Sequence, residues 1–492
     1  MPNWLEVTGY KQVSAKGDDY RDWWKSFNDP VLDNLVRAAY QQNLPLRVAG
    51  VRVLGARAQL GYATGQLYPQ VQQATGALEK KRASEKGPLY SPGSPSNYWV
   101  AQAGLTASWE IDFWGKFRRA VESADASLMA AVADYDNTLV SLTGEVANTY
   151  VVLRTLEKRL QIARQNVEIQ KKSLQIAMAR WKGGTTSRRD VEQANTVLES
   201  TEASIPPLES LLQQAKNALC VLMGLPPRDL GEFLGDKAGD IPAPPPTVAV
   251  GIPADLLRRR PDIQAAEWRA AAQCAQIGVA RANLFPAFSL LGNFGFQAAD
   301  VGTVRLDDIF QWRSRLGGIG PSVQWNILNY GQLTNLVRIQ DAKFQELLIS
   351  YQNTVLQAQK EVENALIGFL KAQERAEKLA LSTASAQRSV DLAILQYRQG
   401  ITDFTTVLTA EQTLLTQQDN LASTLGEISG NLVSMYRALG GGWQLREGQD
   451  FLPEDVKAAM AKRTNWGRLL SPAAIPEPRS GEKRYDVRPP DW

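Results

Sequence analysis

Val132, Leu139, Val146, Leu153, Leu160, Val167, Leu174 and Trp181 stand seven residues apart, with Leu128, Tyr135, Leu142, Thr149, Leu156 and Ala163 forming a companion line four positions earlier. The device returns as Leu348, Val355, Val362, Phe369, Ala376, Thr383, Val390 and Tyr397, beside Phe344, Tyr351, Ala358, Ala365, Ala372 and Leu379. A sustained seven-residue apolar repeat keeps one seam of a helix against its neighbours and imposes a left-handed supercoil. It predicts helices over about 116–182 and 332–398, each about 100 Å long at 1.5 Å per residue. Elsewhere the period drops to two. Trp99, Ala101, Ala103, Leu105, Ala107, Trp109 and Ile111 oppose Gln102, Gly104, Thr106, Ser108 and Glu110. Ile319, Pro321, Val323, Trp325 and Ile327 oppose Ser322, Gln324 and Asn326, and Phe288, Leu290, Phe294 and Phe296 oppose Ser289, Asn293 and Gln297. With a less regular run after Pro69 (Val71, Ala74, Leu78), these predict four strands, at about 70–82, 98–112, 286–298 and 316–329.

The chain is duplicated. Trp109–Gly115 (WEIDFWG) lies over Trp325–Gly331 (WNILNYG), an offset of 216 residues that also carries Tyr135 onto Tyr351, Gly184 onto Gly400, Gly224 onto Gly440 and Pro45 onto Pro261. Tyr68-Pro69 faces Phe285-Pro286 one residue further on. A period this long marks a duplicated domain and not the short unit of a solenoid. Residues 1–28 form a leader with aromatic anchors (Trp4, Tyr20, Trp23, Trp24, Phe27) packed on a neighbouring region. Repeat 1 spans 29–224, a Pro-rich linker 225–253, repeat 2 254–442, and a polar tail 443–492, with one short helix near 454–463. Asp29 caps a helix that opens at Pro30 and runs to about Gln66. Each long helix ends in a glycine turn, at about 182–187 and 398–403. Return helices follow over about 187–223 and 403–439, the first kinked by Pro206-Pro207.

No stretch reaches the roughly 18 to 20 unbroken apolar residues of a membrane helix, which says nothing against a β-barrel, whose strands are short and only alternately apolar. An ordinary sheet with one solvated face is the simpler account of the alternation. Three features favour lipid instead. The strands are long enough to cross a bilayer at a tilt, and aromatics collect at their ends (Tyr68, Trp99, Trp109, Phe113, Trp114, Phe285, Trp325, Tyr330). The joining loops, 83–97 and 299–314, are polar. Four strands cannot close a barrel, and an open edge is not tolerated in a membrane, so copies of the chain must complete it.

Composition removes other classes. The chain has no histidine, which excludes a Ser-His-Asp triad, a Cys-His pair and nearly every zinc hydrolase site. Glu361 and Glu363, two apart on a helix, do not face each other and make no catalytic dyad. Lys plus Arg (54) balances Asp plus Glu (51), leaving a net charge of +3 and no field for nucleic acid. Cys220 and Cys274, each alone on an apolar helix face, read as buried free thiols. Met1-Pro2-Asn3 does not open a signal peptide, so this numbering is expected to describe a processed chain. No metal or cofactor site is indicated.

Four segments resemble the TolC-like outer-membrane factor family, in its drug-efflux branch: Trp109–Lys116 (WEIDFWGK), Leu256–Glu267 (LLRRRPDIQAAE) continued by Ile277–Pro286, Tyr397–Phe404 (YRQGITDF), and Trp23-Trp24 with Asp29-Pro30. Together they cover most of residues 20–443. The resemblance implies an α+β membrane protein, a homotrimer whose four strands per chain build a twelve-stranded transmembrane barrel in the outer membrane, continued by a long periplasmic coiled-coil barrel of α-helices. Such proteins are passive exit ducts without cofactors, docking on a periplasmic adaptor and an inner-membrane transporter. It places adaptor docking at Gly183, Gly184, Thr185, Gly400, Ile401 and Thr402. A tip constriction or lock falls on Asp190, Arg188, Arg189 and Tyr397, with Thr406 and Thr409 standing where some relatives carry constricting aspartates. Tyr68, Trp99, Trp109, Phe285 and Trp325 form the membrane girdle. Many relatives carry a lipid on an N-terminal cysteine, and none precedes Cys220 here. The same fold serving protein secretion or metal export, and a soluble coiled-coil scaffold, are the alternative readings.

Overall fold

The computed structural model describes residues 13–14, 20–86, 93, 95–235, 239–245, 248–249 and 259–471. Trp4, part of the loop between the first two strands, Pro246, the tail beyond 471, and Leu256 to Arg258 of the mid-chain motif lie outside them. The chain divides into two compact units, and each draws on both sequence halves. One comprises 1–52, 132–265 and 352–459, the other 53–131, 266–351 and 460–492.

The first unit is helical. α1 (Pro30–Gln42) starts as the sequence predicts: the Asp29 side chain accepts from the N–H groups of Val31 and Leu32, and Pro30 takes the first helical position. The helix does not run through to Gln66. It stops at Asn43, and α2 (Leu44–Gly65) begins afresh, because Pro45 has no N–H to bond back into α1. Asn43 accepts from Leu46 N–H at 2.9 Å and so caps the new helix. α3 (Lys116–Lys182) and α7 (Gln332–Gln399) are the long helices, unbroken over 67 and 68 residues. The predicted seam of α3 is buried at Leu139, Val146, Leu153, Leu160 and Val167, and that of α7 at Val362, Phe369, Val390 and Tyr397. Trp181 departs from the pattern and is exposed, whereas its counterpart Tyr397 is buried. The first return helix is two, α4 (Arg188–Ala203) and α5 (Ile205–Leu222), parted at Ser204 by Pro206-Pro207. The second, α8 (Phe404–Ala438), is continuous. Trp23, Trp24 and Phe27 of the leader are buried, and Trp23 stacks on Tyr436 of α8 at 5.3 Å. In the tail, Arg446 forks onto Asp136 of α3, and α9 (Glu454–Arg463) falls where the sequence placed it.

The second unit holds an antiparallel sheet of β1 (Val71–Arg82), β2 (Asn97–Ile111), β3 (Ala287–Ala299) and β4 (Arg315–Gln324), in that spatial order. α6 (Pro261–Ala282) precedes β3 in the chain. The β2–β3 pair joins the two halves, Leu105 opposite Phe294 and Trp109 opposite Leu290. β4 ends at Gln324 and not near 329. Its last partner is Ala287, and before that Pro286 offers no N–H to extend the ladder. Trp325 instead donates its indole N–H to the carbonyl of Leu284 at 3.1 Å, as Trp109 does to Leu67 at 3.2 Å. The two halves thus repeat in their hydrogen bonds as well as in sequence. The register puts most large apolar members of the strands on one face, where Leu105 is 61% and Ile319 80% exposed, while Val71, Leu291 and Leu316 fall on the other. Cys220 is buried as expected, whereas Cys274 is exposed.

Candidate functional site

The turns that end the long helices are built alike. At the first, Thr185 N–H reaches the Arg180 carbonyl at 2.9 Å and Gly184 N–H the Trp181 carbonyl at 2.9 Å. At the second, Ile401 N–H reaches Gln396 and Gly400 N–H reaches Tyr397, both at 3.0 Å. This paired closure satisfies the last helical carbonyls and needs a left-handed residue, supplied by Gly184 (φ +69°) and Gly400 (φ +78°). Gly183, Gly184, Thr185 and Ile401 are exposed and Thr402 is half-buried, so the turns present backbone and one branched apolar side chain to whatever approaches.

Behind the turns lies an apolar cluster of Ala177, Val191, Ala194, Val197, Ala393, Tyr397, Phe404, Val407 and Leu408. Tyr397 is buried, its ring 4.9 Å from Phe404. Arg180 of α3 lies over that ring at 4.5 Å and donates to the Tyr397 carbonyl, tying the end of one long helix to the end of the other. Arg180 has no place among the residues picked from sequence. Its only signal is a cation in the last turn of a helix, where it also suits the dipole.

Asp190 and Tyr397 do not meet. The Asp190 carboxylate turns back into its own loop, accepting from Thr186 and Ser187 hydroxyls, with Arg189 at 3.8 Å. Arg188 points along its own helix to Glu192 at 3.1 Å. Thr406 donates its hydroxyl to Asp403 at 2.6 Å and its N–H at 3.1 Å. Those two bonds hold the Asp403 carboxyl below the usual carboxylate range. Thr409 bonds its own helix at the Thr405 carbonyl, and both Thr406 and Thr409 are exposed.

A polar line runs up α3 from this cluster at the same seven-residue spacing as the apolar seam. Arg180, Ser173, Asn166 and Arg159 meet, in turn, the Tyr397 carbonyl, Glu411, Gln418 and Asp419. The Arg159–Asp419 pair is bidentate, at 2.7 and 3.0 Å. The equivalent positions of α7, 216 residues on, are Arg375 and Ser382, which hold Glu427 and Gln417 on α8. Glu411 is 1% exposed, and burial pushes its carboxyl above the ordinary range against the opposing bond from Ser173. Such a polar seam fixes which turn of α8 faces which turn of α3, since a shift by one turn would strand every member.

In the second unit, Trp109, Phe285 and Trp325, expected in the girdle, gather at the sheet end away from the hairpin loops. Phe285 stacks on Trp114 at 4.6 Å, and Trp114 donates to the Pro286 carbonyl at 2.8 Å. Tyr68, just before β1, is half-buried. Trp99 sits at the opposite, hairpin end, under the Lys80 ammonium.

Residues 35–225 and 252–441 match the family model described as outer membrane efflux protein. The chain is 32% identical over 425 residues to the pyoverdine export outer membrane protein OpmQ of Pseudomonas putida, covering 86% of this chain and 88% of that one. It is 28% identical to the toluene efflux pump outer membrane protein TtgC of Pseudomonas putida, over 87% of this chain and 86% of that one. Its fold superposes on the outer-membrane channel OprN with a TM-score of 0.83 and 34% identity, over 90% of this chain and 97% of that one. A soluble scaffold is thereby set aside. The chain belongs to the outer membrane efflux protein family, and it is an outer-membrane channel and not an enzyme.

Proposed function

We propose that this channel is the exit duct of a tripartite efflux system, conducting small molecules such as drugs, detergents and dyes passively from the periplasm to the exterior. Three copies close a twelve-stranded barrel in the outer membrane, and their long helices wall a tunnel in the periplasm. A periplasmic adaptor docks at Gly183, Gly184, Thr185, Gly400, Ile401 and Thr402, and an inner-membrane transporter supplies the energy. One observation carries the reading: the four-stranded sheet has two free edges, at β1 and β4, and a face of exposed large apolar side chains. The apolar face is costly in water and at home in lipid, and the open edges, not tolerated in lipid, are satisfied when edges of neighbouring copies pair.

Relatives named for pyoverdine export and toluene efflux favour small organic cargo, although their difference points to selectivity residing in the transporter. The tip is held by Arg180 on Tyr397, with Asp190 and Arg189 ordering the first turn, and with Arg188 and the uncharged Thr406 and Thr409 beside them. Deleting the gene should sensitise cells to dyes, detergents and antibiotics, restored by the wild-type copy. Unchanged tolerance to all of them would remove the small-molecule reading.

A further inference from the structure

The apolar face of the sheet does not stay apolar to its hairpin end. Lys80 and Arg82 fall on the same face as Leu78, because β1 alternates and Lys80 pairs with Trp99. Arg315 falls on that face too, opposite Phe296. These cations are exposed, and no carboxylate partners them among the described residues. Lys81, on the other face, is paired with Glu79 at 3.2 Å.

Arg315 lies over the Trp312 ring at 4.8 Å, and Trp312 sits 6.4 Å from Phe294. Phe294 in turn walls an open apolar groove of about 510 Å³, with Leu105 and Ile319 as its other walls and Gly292 and Gly317 in its lining. A cation, an aromatic ring and an apolar trough therefore follow one another down the membrane face. Long basic side chains at this depth reach toward the interface while their stems stay on apolar surface.

We propose that this strip binds an anionic, phosphate-bearing membrane lipid, its headgroup on Arg315 and an acyl chain along the groove between Leu105, Phe294 and Ile319. The inference rests on the barrel reading. Where β4 of one copy meets β1 of the next, Lys80 and Arg82 come beside Arg315 and complete the headgroup site. Charge complementarity selects the lipid: a face this basic at the headgroup level attracts net negative phosphate and gains little from a zwitterion.

The test is native mass spectrometry of the detergent-purified oligomer, offered phosphatidylglycerol or phosphatidylcholine of the same acyl chains. Wild type should retain phosphatidylglycerol preferentially, and Lys80→Gln and Arg315→Gln should each weaken that retention roughly fivefold. Lys81→Gln, one residue away on the opposite face, should leave it unchanged. Equal retention of the two lipids, equal loss in Lys81→Gln, or displacement of the lipid by inorganic phosphate alone would overturn the site. An oligomer that enters micelles and conducts while showing no lipid preference leaves the channel standing. A chain that stays in plain buffer removes both.

Discussion

Single side chains do unequal work here, and their burial ranks them. Arg260, in the mid-chain motif, binds Asp262 at 3.0 and 2.7 Å, Glu361 at 2.8 Å and the Ala438 carbonyl at 2.8 Å. Arg260→Ala should destabilise by about 3 kcal/mol, the lower end for a broken buried pair, because Glu361 is half exposed and screened. Thermal dissociation of the detergent-solubilised protein would measure it. At the tip, Arg180→Ala removes a cation over Tyr397, worth about 1 kcal/mol, and frees the two helix ends. Planar-bilayer conductance should rise, whereas Arg188→Ala, which loses an exposed pair to Glu192, should leave it unchanged. Glu411 carries a pH dependence with a definite sign. Its folded value is raised by burial above the ordinary 4.5. Its contribution is therefore full below 4.5 and is lost as pH rises through the folded value, because the folded state binds the extra proton. Glu411→Gln should flatten the fall in thermal stability above pH 4.5, and an unchanged slope would exonerate Glu411.

Among elements, the junctions matter more than the interiors. Asn43 ends α1, caps α2 and donates its amide to the Leu222 carbonyl at 2.8 Å, closing the last turn of α5. In the second half, Arg260 closes α8 at Ala438, which stands 216 residues after Leu222. Different chemistry fills one structural need at corresponding places. Asn43→Ala removes a cap and the partner of a half-buried carbonyl, a cost of about 2 kcal/mol. Asn43→Asp keeps the cap alone and should recover about half, read by the same thermal assay. The seven-residue apolar lines and the Pro206-Pro207 break were legible as sequence, since both are local, whereas the break at Pro45 is local too and the expected helix ran through it. Arg159, Asn166, Ser173 and Arg180 were not, because a polar residue on a helix has no meaning until Asp419, Gln418, Glu411 and Tyr397 stand opposite. The Asp190 reading shows the same limit: its acidity was visible, but not that the carboxylate bends back to Thr186 and Ser187.

At the scale of the whole molecule, the unpaired edges of β1 and β4 govern behaviour. The purified protein should be a trimer in detergent by light scattering and should aggregate without amphiphile. A monodisperse monomer in plain buffer would defeat the barrel. A cysteine on β1 and another on β4, at facing positions of adjacent copies, should crosslink between subunits and not within one, because β2 and β3 separate those strands in the chain's own sheet.

By itself the sequence determined the duplication, the two unbroken long helices, the four strands and the family, because periodicity and glycine or proline punctuation act over a few residues and need no partner. The tertiary structure alone decided where β4 runs out of partner, that Cys274 is exposed, and which polar residues form a seam. Each of these depends on what lies across a gap in space between residues distant in the chain, and local pattern carries no record of that.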